Sequence, residues 1–179
     1  MRMNLAEQIG GNGVTDATSM NDLQLKQIPI ARTGMIIRRP VADVFEAFIN
    51  PDVTTRFWFT GSSGRLEAGR QVQWDWGMCG IPIPVTAKAI EPNRRIVIER
   101  PGHGPPTTVE WIFAARNDGT TCVSITHSGF TGDGDALVSQ VTDSMQGFAL
   151  VLAGLKAPLE LNARLNLVAD RCPKGIEEH

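Results

Sequence analysis

The apolar positions of this chain change their period twice. Residues 28–38 (IPIARTGMIIR) are rich in β-branched side chains, which suit a pleated surface, and they predict a first strand. Pro40 stops it, because proline lacks a ladder donor and fits the first turn of a helix. Val41, Val44, Phe45 and Phe48 then recur at helical spacing, a short amphipathic helix that closes at Asn50-Pro51. A second short helix, over about residues 52–57, runs into the aromatic cluster Phe57-Trp58-Phe59.

Beyond that cluster the period falls to two. Val72, Trp74 and Trp76 alternate with Gln71, Gln73 and Asp75, the pattern of a half-buried strand. Further strands are expected over about residues 83–90, 95–100, 107–116 and 120–128, parted by Glu91-Pro92-Asn93, Pro101-Gly102 and Asn117-Asp118-Gly119. Gly61 to Gly64 reads as a loop, and Gly69 as a bend. The helical period then returns. Leu137, Val141, Met145, Phe148, Leu152, Leu155 and Leu159 step by three or four residues, which predicts one helix over about residues 135–161, roughly 40 Å long. Pro158 removes the bond to the Gly154 carbonyl, so the last turn is expected to kink or fray.

Strand, two short helices, five or six further strands and a long helix indicate α+β rather than a parallel α/β sheet. Residues 26–162 are read as one domain. Before it lies a glycine-rich extension, residues 1–25, in which Met3, Leu5 and Ile9 supply one turn of contacts. After it comes a tail, residues 163–179, whose Leu165, Leu167 and Val168 are expected to pack on the outside. Arm and tail are the two candidate routes to a homodimer.

Composition narrows the partners. A chain of 179 residues with 42% hydrophobic and 20% charged residues can bury its own core. A net charge of −2, with Arg38-Arg39 and Arg94-Arg95 as the only adjacent basic pairs, does not make a phosphate-binding surface, so nucleic acid is not expected. No signal segment opens the sequence and no apolar run spans a bilayer, which predicts a cytoplasmic protein without membrane insertion. Cys79, Cys122 and Cys172 are too scattered for a disulfide framework. With His103 they lack zinc spacing, so neither metal nor cofactor is expected.

The candidate chemistry follows from the alternation. Val109, Trp111, Phe113 and Ala115 share one strand face, and Val123, Ile125 and His127 share a face of the next. Taken as the concave face, they look toward the Met145, Phe148 and Leu152 side of the long helix, joined by Trp74 and Trp76. Such a wall suits a hydrophobic small molecule, and it equally suits a solidly packed core. His127, at the end of an apolar face, can bond a ligand, act as an acid or base, or be satisfied locally by backbone or Ser128. His127 and Ser128 make no triad, because neighbouring strand residues point to opposite faces. Asp75 is assigned to the solvated face, and Glu99 to a pairing with Arg100 or a neighbouring strand. The glycine-rich loop 129–135 is neither a phosphate loop nor a calcium loop, and its Asp133 or Asp135 is expected to cap the long helix.

One run of residues carries more than these patterns do. Thr126-His127-Ser128-Gly129-Phe130, followed by Gly147-Phe148 within the long helix, resembles the SRPBCC (START/Bet v 1-like) superfamily. Within it the chain is similar to the AHSA1-like group, the relatives of the activator of Hsp90 ATPase. Residues 38–48 (strand end, proline, V-F-E-A-F), Phe57-Trp58, residues 66–76 with Gly69, and residues 147–160 support the likeness, which covers about residues 28–161. The resemblance implies a helix-grip fold: a curved antiparallel sheet of six or seven strands around a long C-terminal helix, with two short helices after the first strand. It also implies a cavity between sheet and helix, with the 129–135 loop near its mouth. Its ligand-binding residues would be Trp74, Trp76, Trp111, Phe113, His127, Phe130, Met145, Phe148 and Leu152. Three functions are expected, in this order. The first is binding of a small hydrophobic or amphipathic ligand without catalysis. The second is a polyketide cyclase or dehydratase with His127 as acid or base. The third is an interaction module for Hsp90, placed last because the Hsp90 activator proper carries a second domain ahead of this one.

Overall fold

A computed structural model describes residues 25–171, in which the chain runs β1 (Ala31–Ile37), α1 (Val41–Ile49), α2 (Pro51–Thr54), β2 (Gly61–Ser62) and β3 (Gln71–Trp76). It continues through β4 (Ile81–Glu91), β5 (Arg95–Gly102), β6 (Gly104–Ala115), β7 (Thr121–Ser128), α3 (Gly134–Leu161) and α4 (Leu167–Asp170). The expectations for the N-terminal arm, with Met3, Leu5 and Ile9, lie outside the described residues, as does the tail beyond residue 171.

The strands form one antiparallel sheet in the order β1-β7-β6-β5-β4-β3-β2. β2 to β7 is thus a meander, and β1 returns to pair with the last strand, Ala31 opposite His127 and Ile37 opposite Thr121. Register shifts between Ala87 and Ala89 and between Arg100 and Gly102 bend the sheet, as bulges do. The second shift has a local cause. Pro101 cannot donate to the ladder, and a Cβ on Gly102 would stand 2.6 Å from the Pro105 carbonyl oxygen.

Alternation places the apolar sets on one face. Val72 and Trp74 of β3, Val85 and Ala87 of β4, and Ile96 and Ile98 of β5 are buried there together with Val109, Trp111 and Phe113 of β6. Val123 and Ile125 of β7 complete the face, while Ala115, at the end of the β6 series, is exposed. α1 lays Val44, Phe45 and Phe48 on it, with the Phe45 and Phe113 rings 5.3 Å apart. Asn50 caps α2 through its side chain, and the buried Thr54 hydroxyl donates to the Ala47 carbonyl, locking the two short helices together. The fold is the helix-grip α+β architecture, with seven strands.

Several boundaries differ from the sequence expectation. β2, two residues long, pairs with Trp74 and Asp75 where a loop was expected, since two residues carry no readable period. α2 ends at Thr54, beyond which the Arg56 and Phe57 N–H groups bond the Val53 and Thr54 carbonyls three residues back and the chain continues as turns. α3 runs through Pro158 to Leu161 without fraying. Burial of Leu155, Ala157 and Pro158 holds that turn, and Asn162 then closes the helix in the left-handed region with its N–H on the Ala157 carbonyl. At the other end Asp133, rather than Asp135, provides the cap through a 2.8 Å bond from the Ala136 N–H. The C-terminal half of α3 docks on β1: Lys156 donates to the Ile36 carbonyl and to Glu160, which also accepts from the Arg38 N–H.

Candidate functional site

Beyond the contact of Leu137 with Ala31 and Phe130, a cavity of about 510 Å³ lies between the N-terminal half of α3 and the sheet. That volume falls in the range of sites for drug-sized ligands. Its apolar wall is Trp58, Trp76, Ile83, Phe130, Phe148 and Val151. Trp58 organises this wall, its ring 4.9 Å from Trp74, 6.0 Å from Trp111 and 5.9 Å from Phe148. The loop after β7 closes one side. Phe130 is buried there, Gln140 donates to the Thr131 carbonyl, and Thr131 donates to the His103 carbonyl.

Two basic side chains enter from the sheet. His127 stands opposite Val109 on β6 and is 7% exposed, with its ring 4.5 Å from Phe130 and edge-on to Phe148 at 5.9 Å. Its Nδ1 lies 2.8 Å from the Ser144 hydroxyl of α3, while the buried Nε2 has no hydrogen-bond partner among the described residues. Burial, reinforced by the Arg100 charge, holds its pKa down to about 4, so the ring is neutral at neutral pH.

Arg100 continues the alternation Ile96, Ile98, Arg100 and pairs in register with Thr107. Its guanidinium carbon sits 6.0 Å from the Trp76 ring centre, and its buried Nε also lacks a partner. Burial pulls its pKa down and the charge of Asp143 opposes that shift. Arginine stays charged regardless. Glu99, expected to pair with Arg100 or across the sheet, takes the second course: it bonds Lys88 of β4 at 3.1 Å, because alternation turns it to the convex face. Asp75 likewise faces away, accepting from Gln73.

The helix side of the cavity is polar along the first turns of α3, before Phe148 and Val151 of the same helix join the apolar wall. Ser139, Gln140, Asp143, Ser144 and Gly147 line that polar stretch, a stripe at helical spacing. α4 closes the open end. Its Val168 reaches the cavity, and Arg171, just beyond, bonds Asp143 at 2.5 Å and Gln146 at 2.8 Å. Gly147 makes this approach feasible, because a Cβ there would lie 3.1 Å from the Arg171 Nη1. The segment taken for an outer tail therefore contributes to the site.

Of the residues expected to bind ligand, Trp76, His127, Phe130 and Phe148 line the cavity. Trp74, Trp111, Phe113 and Leu152 lie in the packed core beside it. Met145 points outward and is 43% exposed, so the apolar stripe read along α3 is broken there. The helix turns its 140–144–147 edge to the cavity instead, where the closing residues are polar or small. Among the described residues no three His, Cys, Asp or Glu side chains are grouped to hold a metal ion, and no helix is long and apolar enough to cross a membrane.

A curved antiparallel sheet whose long helix crosses it over a half-open cavity defines a helix-grip protein. Residues 38–160 match the family model described as Activator of Hsp90 ATPase homolog 1-like protein, and the chain belongs to that family. Its sheet and helix superpose on the protein SSP2350 from Staphylococcus saprophyticus with a TM-score of 0.64 and 26% identity, over 76% of this chain and 96% of that one. DynU16, a putative protein in the dynemicin biosynthetic locus, gives a TM-score of 0.67 at 21% identity, over 76% of this chain and 50% of that one. The Aha1 dimer from Colwellia psychrerythraea gives 0.64 at 18% identity, over 74% and 97% respectively. No curated protein matches the chain.

Proposed function

We propose that the protein binds a small hydrophobic or amphipathic molecule in the cavity between the sheet and α3. The observation that carries this reading is the cavity of about 510 Å³, with an aromatic wall on one side and a few convergent polar groups on the other. Acid–base catalysis fits less well. A general acid or base works best with a pKa near the working pH, whereas the His127 pKa is held down to about 4, which makes the ring a weak base and leaves the imidazolium acid unpopulated at neutral pH. The Ser144–His127 contact favours a cyclase-like or dehydratase-like second reading, yet Nε2 has no carboxylate to orient the ring as a triad would.

Trp58 and Trp76 supply a built-in reporter. Titration with aromatic acids, fatty acids and their neutral counterparts is expected to change tryptophan emission saturably for at least one class. Ile83→Trp, a half-buried wall position, should fill the cavity and weaken that binding by more than about tenfold. Its stability should fall by no more than about 1 kcal/mol, since the added ring enters open space rather than packed core. Equal affinity in Ile83→Trp, or no saturable change with any compound up to millimolar concentration, would overturn the proposal.

A further inference from the structure

We infer that the cavity's ligand is an organic monoanion, an apolar body bearing one carboxylate, with the carboxylate on Arg100 beside His127. This deepens the binding reading above and rests on it.

Arg100 is the reason. A guanidinium in apolar surroundings is costly unless an acceptor meets it. No described carboxylate forms an ion pair with it: Glu99 is held by Lys88 on the other face, and Asp143 by Arg171. The Trp76 ring gives only partial compensation at 6.0 Å. Asp143 bonds Arg171 and its charge also reaches Arg100, so two arginines face one carboxylate and the cavity lining keeps one net positive charge among the described residues. A single net positive charge in a largely apolar site matches a single negative charge, and a planar guanidinium matches a carboxylate through paired N–H donors.

His127 agrees with this assignment. Among the described residues the Ser144 hydroxyl has no acceptor other than the His127 ring, so it is assigned as donor to Nδ1. The neutral ring then carries its proton on Nε2, the nitrogen without a partner. That N–H is the donor left for a carboxylate oxygen lying on Arg100. The register supports their proximity. Arg100 faces Thr107, and two residues along β6 on the same face Val109 faces His127. The body of the ligand then lies against Trp76, Phe130 and Phe148, which are flat surfaces suited to rings.

The test compares acids with their primary amides on the full chain: 2-naphthoate against 2-naphthamide, and decanoate against decanamide. The wild type should prefer the acid of at least one pair by about 10- to 100-fold, the worth of charge-assisted hydrogen bonds. Arg100→Met should abolish that preference by weakening the acid at least tenfold more than the amide, and Arg100→Lys should keep part of it. Arg100→Met should be at least as thermally stable as the wild type, because it removes a donor without a partner from apolar surroundings. Arg100→Gln provides the same comparison if the methionine variant does not fold. Amides that bind as tightly as acids would overturn the monoanion and leave the cavity reading standing, as would a preference that survives Arg100→Met or tighter binding of 2-naphthyl phosphate. Failure of both acids and both amides to bind would remove the cavity reading and this inference together.

Discussion

Trp58→Ala is expected to lower the free energy of unfolding by about 3–5 kcal/mol, the usual cost of deleting a large buried aromatic ring. Trp58 is 8% exposed and joins three parts of the fold. Its ring meets Phe48 of α1, Trp74 and Trp111 of the sheet, and Phe148 of α3. Those neighbours cannot all close on the void at once, because each is fixed by its own element, so a cavity term adds to the lost transfer energy. The same deletion opens the binding cavity into the core. Ligand affinity should therefore fall although no polar contact is touched. Urea denaturation checks the first effect and tryptophan titration, with Trp76 remaining, the second. A loss below about 1 kcal/mol would show that the aromatic cluster is not the junction between α1, the sheet and α3.

Acidification from pH 6.5 to about 4 is expected to cost the protein about 3 kcal/mol through His127 alone. The unfolded chain takes up this proton near 6.5, whereas the folded protein takes it up only near 4. Between those values the unfolded state binds more protons, so stability falls as the pH falls. Above about pH 7.5, where the unfolded state has also lost the proton, the residue contributes almost no pH dependence. Other groups act in a lower window: Arg65 holds the Glu46 carboxyl low by hydrogen bonding, Arg95 does so for Glu91, and Thr120 for Asp118. The interval from pH 6.5 to 5 therefore isolates the histidine, with an expected loss of about 2 kcal/mol. His127→Gln should flatten the profile there. A wild-type profile that is already flat would mean that the ring protonates freely inside the fold.

The fold was readable because its long elements obey a period. Phe45 and Phe48 on α1, Trp74 and Trp76 on β3, and Trp111 and Phe113 on β6 face inward as alternation or helical spacing requires. β2 was not readable, since two residues cannot show a period, and neither was the persistence of α3 past Pro158, which depends on burial of that turn. The site was readable in part. Following apolar residues along α3 leads to Met145, which is on the outside, and passes over Ser144 and Asp143, which reach the cavity. Along the cavity α3 turns Ser139, Gln140, Asp143 and Ser144 inward before Phe148 and Val151 resume the apolar face, so the hydrophobic stripe does not mark that edge. Arg100 did carry a signal, standing third in the series Ile96, Ile98, Arg100 with its neighbour Glu99 on the other face. Val168 and Arg171 carried none, because their contribution depends on how α4 folds back over Gly147.

The most direct measurement is a two-dimensional ¹H–¹⁵N NMR titration with the tightest-binding compound of the panel, reading both backbone and indole N–H signals. Saturable shifts are expected at Gly102, Gly147 and His127 and at the Trp58 and Trp76 indoles, all of which line the cavity beneath α3. Shifts gathered instead at Val138, Met145 and Ile112, which are exposed on outer surfaces, would place the ligand outside the cavity and contradict the proposed site.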